Sequence, residues 1–289
     1  MDSVRACQSR WGVPPSNTNS TFRGMDSFTQ PKALAHPEQL RVHINQDVDL
    51  WPGPALQLDP GQTDLWITDR EHLEPVGALL EEFLQTDERM RAQRLVREED
   101  QRTFRLFRGA LRGLLARYMD NTSPGSLSFR YGPQGKPALV SPIPIHFNLA
   151  HAGGRLAVAI SYQPVGVDIE RMDRCTDLDA VAARFYHPAE VAALTARPAD
   201  QRRALFFRWW SAKEAALKAW GVGIGSTPDH PDFSRWTEGT SAHIMTPSHG
   251  RPWLIHAFPT SSDWAGALAT QGTMAGLGVR DATGWWQAT

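Results

Sequence analysis

The sequence is short of several features that would have pointed to a class at once. It holds two cysteines, Cys7 and Cys175, in 289 residues. A pair so widely separated builds neither a disulfide framework nor a Cys-rich zinc module. No His-Glu-x-x-His pair occurs, which removes the commonest helix-borne zinc hydrolase site. No Ser-His-Asp or Cys-His arrangement announces a covalent nucleophile. No run of about 18 apolar residues is present to span a bilayer as a helix. The first forty residues lack the apolar core of a signal peptide. Neither sign of charge is in excess, since 30 Lys and Arg face 31 Asp and Glu for a net charge of −1. That balance gives the chain no global attraction to nucleic acid or to an anionic membrane. A cytoplasmic enzyme with neither as partner is the expectation.

What is present is ordered along the chain. Residues 1–46 are rich in Ser, Thr, Asn, Gln and Pro and poor in apolar side chains, so a disordered arm is expected there. Met25 lies inside it as an alternative start. Patterned sequence begins near Val48-Asp-Leu-Trp51. Asp64 to Thr68 alternates as a strand. Glu74 to Leu84 reads as an amphipathic helix with Val76, Leu79, Leu80 and Phe83 inward. Thr86, followed by Asp87 and Glu88, marks a helix start. From Arg89 to Tyr118 the period is helical, with Leu95, Phe104, Phe107, Leu111, Leu114 and Leu115 on the buried face. Arg89, Arg91, Arg94, Arg97, Arg102 and Arg108 form a basic face. That face is either solvated or a forked-donor surface for phosphates.

Phe129 to Leu139 is a Gly- and Pro-rich turn between strands, and Leu156 to Ile160 a buried strand. Val165-Gly-Val-Asp168-Ile-Glu170 is a short strand whose two carboxylates share one face. Like charges so close repel unless a cation sits between them, and oxygen donors of this kind suit Mg²⁺. A solvated acidic edge is the plainer alternative. Short helices follow over Asp177–Arg184 and Pro188–Ala196, and a long one over Asp200–Trp220 with Leu205, Trp209, Ala216 and Trp220 as its apolar stripe. Glu214 and Lys218, four apart, share another face of it. Gly221, Gly223 and Gly225 end the helix; because the run closes a helix, it is not a dinucleotide fingerprint. Trp253–Phe258 and Trp264–Ala269 read as the last two strands.

Val165–Glu170, a gap of about forty residues, then Trp210-Ser-Ala-Lys213-Glu214-Ala-Ala-Leu-Lys218 resembles the 4'-phosphopantetheinyl transferase superfamily, in its longer, surfactin-synthetase-activating type. Tyr131-Gly132 through Gly135-Lys136-Pro137, Phe147-Asn148-Leu149-Ala150-His151 and the Arg-rich helix leading to Glu98-Glu99-Asp100 add to the likeness. It runs from about residue 64 to 270.

The resemblance implies an α+β fold of two similar subdomains, each an antiparallel sheet packed with helices. A pseudo-twofold would relate them, with the site between. The expected bounds are 47–162 and 163–275, with a tail over 276–289. It implies a monomer that moves phosphopantetheine from coenzyme A to a serine of an apo carrier protein (acyl, polyketide or peptidyl), releasing 3',5'-ADP. Asp168, Glu170 and Glu214 match the Mg²⁺ ligands, and Glu214, directly or through a water on the metal, is also the candidate base for the serine. Lys218 matches the pyrophosphate contact and Lys213 a coenzyme contact. His151 matches the 3'-phosphate histidine, and Gly135, Lys136 and Pro137 the adenine loop. Arg91, with Arg102 beside it, matches the phosphate-facing part of the basic helix. Two positions depart from the family pattern. Ala150 stands where many relatives carry a serine, and Glu88 where some carry a basic residue. The rival reading is a non-catalytic module that binds coenzyme A or a carrier protein.

Overall fold

The computed structural model describes residues 39–44, 55–173, 177–222, 231–236, 241–245, 252–258, 262–271 and 278–281. Cys7, Cys175, Met25, the start at Val48–Trp51, Gly223, Gly225 and the end from Gly284 lie outside them.

A strand with an unbroken apolar interior, Leu156 to Ile160, belongs in the middle of a sheet, and β6 (Arg155–Ser161) lies there. It is flanked on either side by β2 (Gln62–Asp69) and β5 (His146–Ala152), both antiparallel to it. Beyond β2 the sheet continues in parallel through β1 (Gln39–Ile44) to β11 (Gly278–Asp281). Between β2 and β5 come α1 (Arg70–Leu73), a 3-10 turn over Glu74–Val76, α2 (Gly77–Glu82), α3 (Thr86–Gln93), α4 (Glu98–Tyr118) and a small hairpin, β3 (Phe129–Tyr131) with β4 (Pro137–Leu139). The second region is built from β7 (Val165–Arg171), α5 (Leu178–Phe185), α6 (Pro188–Thr195), α7 (Ala199–Trp220), β8 (Ser241–Met245), β9 (Pro252–Ala257) and β10 (Trp264–Gln271). Its four strands run antiparallel in the order β7-β10-β9-β8.

Period-2 alternation decides how these parts stack. In β6, Leu156, Val158 and Ile160 face one way and meet Leu106, Phe107, Leu111 and Leu115 of α4. Ala157 and Ala159 face the other way and meet Val165, Val167 and Ile169 of β7 and Leu268 of β10. The opposite face of β10, Ala265, Ala267 and Ala269, meets Trp209, Ala212 and Ala216 of α7. The order through the molecule is therefore helix, sheet, sheet, helix. The α+β expectation and its two sheet-plus-helix regions agree with this.

Four local readings are corrected. Residues 39–44 were included in the disordered arm, yet they form β1; Leu40, Val42 and Ile44 carry a period-2 signal that the polar stretch before them hides. β11 falls within the expected tail. The helix from Arg89 to Tyr118 is broken between Gln93 and Glu98, and Leu95 at the break is 36% exposed, not part of the buried face. Leu79 is also exposed, because the 3-10 turn rotates the short α2 away from the face an unbroken helix would present.

The break lets α3 fold back on α4, with buried Glu88 as the clasp. Its carboxylate accepts from Arg108 Nε, from Arg112 Nε at 2.7 Å and from the Gln85 amide at 2.9 Å. Burial opposes its charge, but Arg112, Arg108 and the Gln85 amide together hold it below the usual carboxylate range. Arg108, expected on the basic face, is thus a buried residue lying over Phe129.

Gly166 brings the two layers of the second region into contact. A Cβ there would lie 2.0 Å from the Ala215 carbonyl oxygen and 2.4 Å from the Ala219 amide, both backbone atoms of α7. Gly166→Ala is expected to lower stability by roughly 2–4 kcal/mol or to lift α7 off β7; denaturant titration reads the first outcome. His256 on β9 is buried, and burial pulls its pKa down to about 4. Between about pH 6.5 and 4 the unfolded chain therefore holds more protons than the folded one, so stability falls as pH falls through that window. Comparing urea unfolding at pH 7 and 4.5, His256→Gln should lose on the order of 2 kcal/mol less than wild type.

Candidate active site

No β-branched residue interrupts Ala199 to Trp220, and the helix stops at Gly221, whose φ of +74° favours glycine. Because α7 rests on Gly166 through Ala215 and Ala219, the face of β7 that carries Gly166 also turns Asp168 and Glu170 toward the helix. Val165, Val167 and Ile169 go into the inter-sheet core, as the alternation predicts. Lys218 then reaches across, its Nζ 2.6 Å from Asp168 Oδ1. Glu214 is one turn earlier on the same face of α7, half-buried like Lys218.

This is an acidic trio with one ammonium among its members. Burial pushes the Asp168 carboxyl up, and the neighbouring charges of Glu170 and Glu214 push the same way; against the pull of Lys218 it stands at about 7. Burial works against the Lys218 charge, but Asp168, Glu214 and Glu170 more than offset it and hold its pKa above the ordinary lysine value. Asp168 Oδ2 is buried without a hydrogen-bond partner. A buried carboxylate oxygen left unmatched costs free energy, and an all-oxygen donor set of Asp168, Glu170 and Glu214 has the chemistry a hard divalent cation requires. Among the described residues no three His, Cys, Asp or Glu side chains already form a metal cage. In this structure it is the Lys218 ammonium that meets Asp168.

A second group of expected residues gathers on α4. Exposed Arg91 lies over the Phe104 ring at 5.6 Å, and the ring of exposed His151, on β5, is 5.5 Å from that of Phe107. Phe104 and Phe107 are three apart on one helix face, so Arg91 and His151 are carried on adjoining supports. Arg102 is committed elsewhere: its guanidinium bridges Glu74 at 2.7 Å and Glu81 at 2.6 Å, fastening α2 to α4. Its expected place at the phosphates is corrected on that ground.

Gly135 and Pro137 flank the turn between β3 and β4. The Gly132 amide donates to the Lys136 carbonyl at 2.9 Å, and Gly135 has φ +76° with open space around it. The Lys136 ammonium turns inward, donating to the carbonyls of Val165, Lys218 and Ala219. Its side chain is thus engaged with the protein, while the turn itself from Gly132 to Gly135 is exposed. Two further residues shape the site. Gly166 has no side chain and so carries no chemical signal in the sequence; only its approach to Ala215 and Ala219 shows its part. Asn148 was noted only as part of a motif; its Oδ1 accepts the Val167 amide at 2.8 Å, joining β5 to β7 next to Asp168.

Lys213 is not where the coenzyme contact was expected. It is 1% exposed, paired at 2.8 Å with Glu190, which is 0% exposed, and it donates to the Pro231 carbonyl at 2.6 Å. Five residues from Lys218, it lies well around the helix from the Glu214–Lys218 face. Glu190 also accepts from the amides of Phe233 and His187. Lys213→Met should therefore cost roughly 3–5 kcal/mol by leaving a buried charge unpaired. Lys213→Met with Glu190→Gln should recover much of that loss in chemical denaturation. Coenzyme binding by either folded variant should match wild type.

A family model described as the 4'-phosphopantetheinyl transferase superfamily matches residues 164–272, the stretch that carries Asp168, Glu170, Glu214 and Lys218. HetI, a 4'-phosphopantetheinyl transferase of Nostoc sp., is 35% identical over 59% of this chain and 73% of its own length. The slr0495 protein of Synechocystis sp. is 40% identical over 70% of this chain and 82% of its own length. The 4'-phosphopantetheinyl transferase Sfp of Bacillus subtilis is 28% identical over 58% of this chain and 73% of its own length. With likeness on this scale running well beyond the catalytic half, the chain belongs to the 4'-phosphopantetheinyl transferase superfamily.

Proposed function

We propose that the chain transfers 4'-phosphopantetheine from coenzyme A to a serine hydroxyl of an apo carrier protein, releasing 3',5'-ADP. The observation that carries the reading is the pairing of Lys218 with a buried Asp168 whose second oxygen has no partner, flanked by Glu170 and Glu214. Asp168, Glu170 and Glu214 would hold Mg²⁺, which when bound supplies positive charge across the pyrophosphate. In this reading the serine oxygen attacks the phosphorus next to the pantetheine arm, and the bond from that phosphorus to the nucleotide's phosphate oxygen breaks. Glu214 takes the serine proton. Lys218 is a positive contact for the charge that grows on the departing phosphate and a proton source for it. The chemistry asks for positioning and charge, not for a covalent enzyme intermediate.

Arg91 and His151, on their neighbouring phenylalanines, fit contacts to the nucleotide's 3'-phosphate, and the turn that carries Gly135 to Pro137 fits the adenine. Ala150 is buried between the sheets on the face of β5 opposite His151, so the departure from serine there takes no contact from that subsite. A monomer is supported by both sheet-and-helix regions belonging to one chain, each with a single long helix, which also favours the pseudo-twofold. No helix among the described residues is long and apolar enough to cross a membrane. A non-catalytic binding module has no use for an intact set of three acids and a lysine.

Incubation with coenzyme A, Mg²⁺ and a panel of acyl, polyketide and peptidyl apo carriers should add one phosphopantetheine to a carrier serine, seen by mass spectrometry. No mass gain on any carrier, with coenzyme A still bound, favours the binding module. Glu214→Gln and Asp168→Asn should each lower kcat by at least about 100-fold while keeping the wild-type circular dichroism. Chelation should abolish turnover, and added Mg²⁺ restore it. Near-normal activity of Glu214→Gln removes that residue from both roles.

A further inference from the structure

Lys136 is a point at which the first half of the chain grips both β7 and α7 of the second. Its ammonium donates to the Val165 carbonyl at 3.0 Å, the Lys218 carbonyl at 2.6 Å and the Ala219 carbonyl at 3.3 Å. Val165 opens β7, three residues before Asp168; Lys218 and Ala219 lie in the last turn of α7. Terminal helix carbonyls carry the negative end of the helix dipole and lack a full set of helical donors, so a cation is well matched to them. Lys218 is consequently held at both ends, its carbonyl by Lys136 and its ammonium by Asp168, each at 2.6 Å. Asn148, also from the first half, takes the Val167 amide at 2.8 Å. Alternate residues of β7 are thus gripped just ahead of the first carboxylate.

At its other end Lys136 belongs to the turn closed by Gly132 N to Lys136 O at 2.9 Å and Gly135 N to Gly132 O at 2.8 Å. We propose that Lys136 is a positioning residue: it ties this turn to the main chain of Lys218 and Val165 and so sets where the Lys218–Asp168 pair stands relative to a nucleotide held on the turn. The inference rests on the transferase reading and deepens it. A direct phosphate contact would send the ammonium outward; here it is spent on three carbonyls. A simple core ion pair would join two side chains; here one ammonium spans the nucleotide turn, the metal-ligand strand and the catalytic helix.

The test uses Lys136→Met and Lys136→Arg in the full chain with coenzyme A and one carrier protein. Lys136→Met should bind coenzyme A by calorimetry within about twofold of wild type, with KM similarly unchanged, while kcat falls about ten- to 100-fold, the scale expected of a small displacement of reacting groups. Lys136→Arg, which keeps charge and donors, should recover part of the loss. A drop in coenzyme affinity that accounts for the whole defect makes Lys136 a direct ligand and overturns the proposal. Unchanged kcat with only a lower Tm overturns it too, leaving a structural tie. If Lys136→Met does not fold, Lys136→Gln takes its place in the same comparison. Hydrogen exchange separates this inference from the transferase reading. The amides of Val167, Gly221 and Val222 should exchange faster in the variant whether or not wild type modifies any carrier, and unchanged exchange there sinks the tie.

Discussion

The contact on which the site depends is the close seating of α7 on β7 at Gly166. Two backbones can approach to that distance only where one residue has no side chain and those opposite, Ala215 and Ala219, have small ones. From that approach the rest follows by periodicity. The same strand face offers Asp168 and Glu170 two and four residues further on, and the same helix carries Glu214 and Lys218 one turn apart. A side chain at 166 would meet the α7 backbone at Ala215 and Ala219 and press the lysine and the aspartate apart.

Burial gives the cluster its electrostatic character. An aspartate next to a lysine in water would ionise readily, and the pair would contribute little. Here desolvation raises the pKa of the Asp168 carboxyl, and the charges of Glu170 and Glu214 add to that, against the pull of Lys218. Elsewhere the fold uses buried charge for architecture. Glu88 with Arg108 and Arg112 clasps α3 to α4, and Glu190 with Lys213 fastens α6 and the Pro231–Phe233 segment to α7. The Asp168–Lys218 cluster differs from these two in leaving a buried carboxylate oxygen unmatched.

The alternation over Val165–Glu170 was enough to put both carboxylates on one face, and the four-residue spacing enough to put Glu214 beside Lys218. The ends of α5, α6 and α7 fell within a residue or two of expectation, because caps and glycines are local signals. Where a segment's fate rested on a distant partner, the reading failed. Leu40, Val42 and Ile44 need β2 and β11 to become a strand. Arg102 looked like a phosphate ligand until Glu74 and Glu81 were found beside it. Leu95 belonged to a buried face only if the helix through it was unbroken.

The sequence by itself determined most of the long elements, the acids and the lysine of the cluster, and which of them share a face. These follow from backbone periods of 2 and 3.6 residues, which operate without long-range contacts. The tertiary structure decided which charges are sealed into packing and which gather around Asp168. Lys213 and Lys218 sit in one helix and read alike as sequence, yet one is sealed against Glu190 and the other opens onto Asp168. Lys136 looked like a ligand of the coenzyme loop and proved to hold the end of α7. The direction of a long cationic side chain depends on which acceptors the fold brings within its reach, and those acceptors come from chain segments far away in sequence.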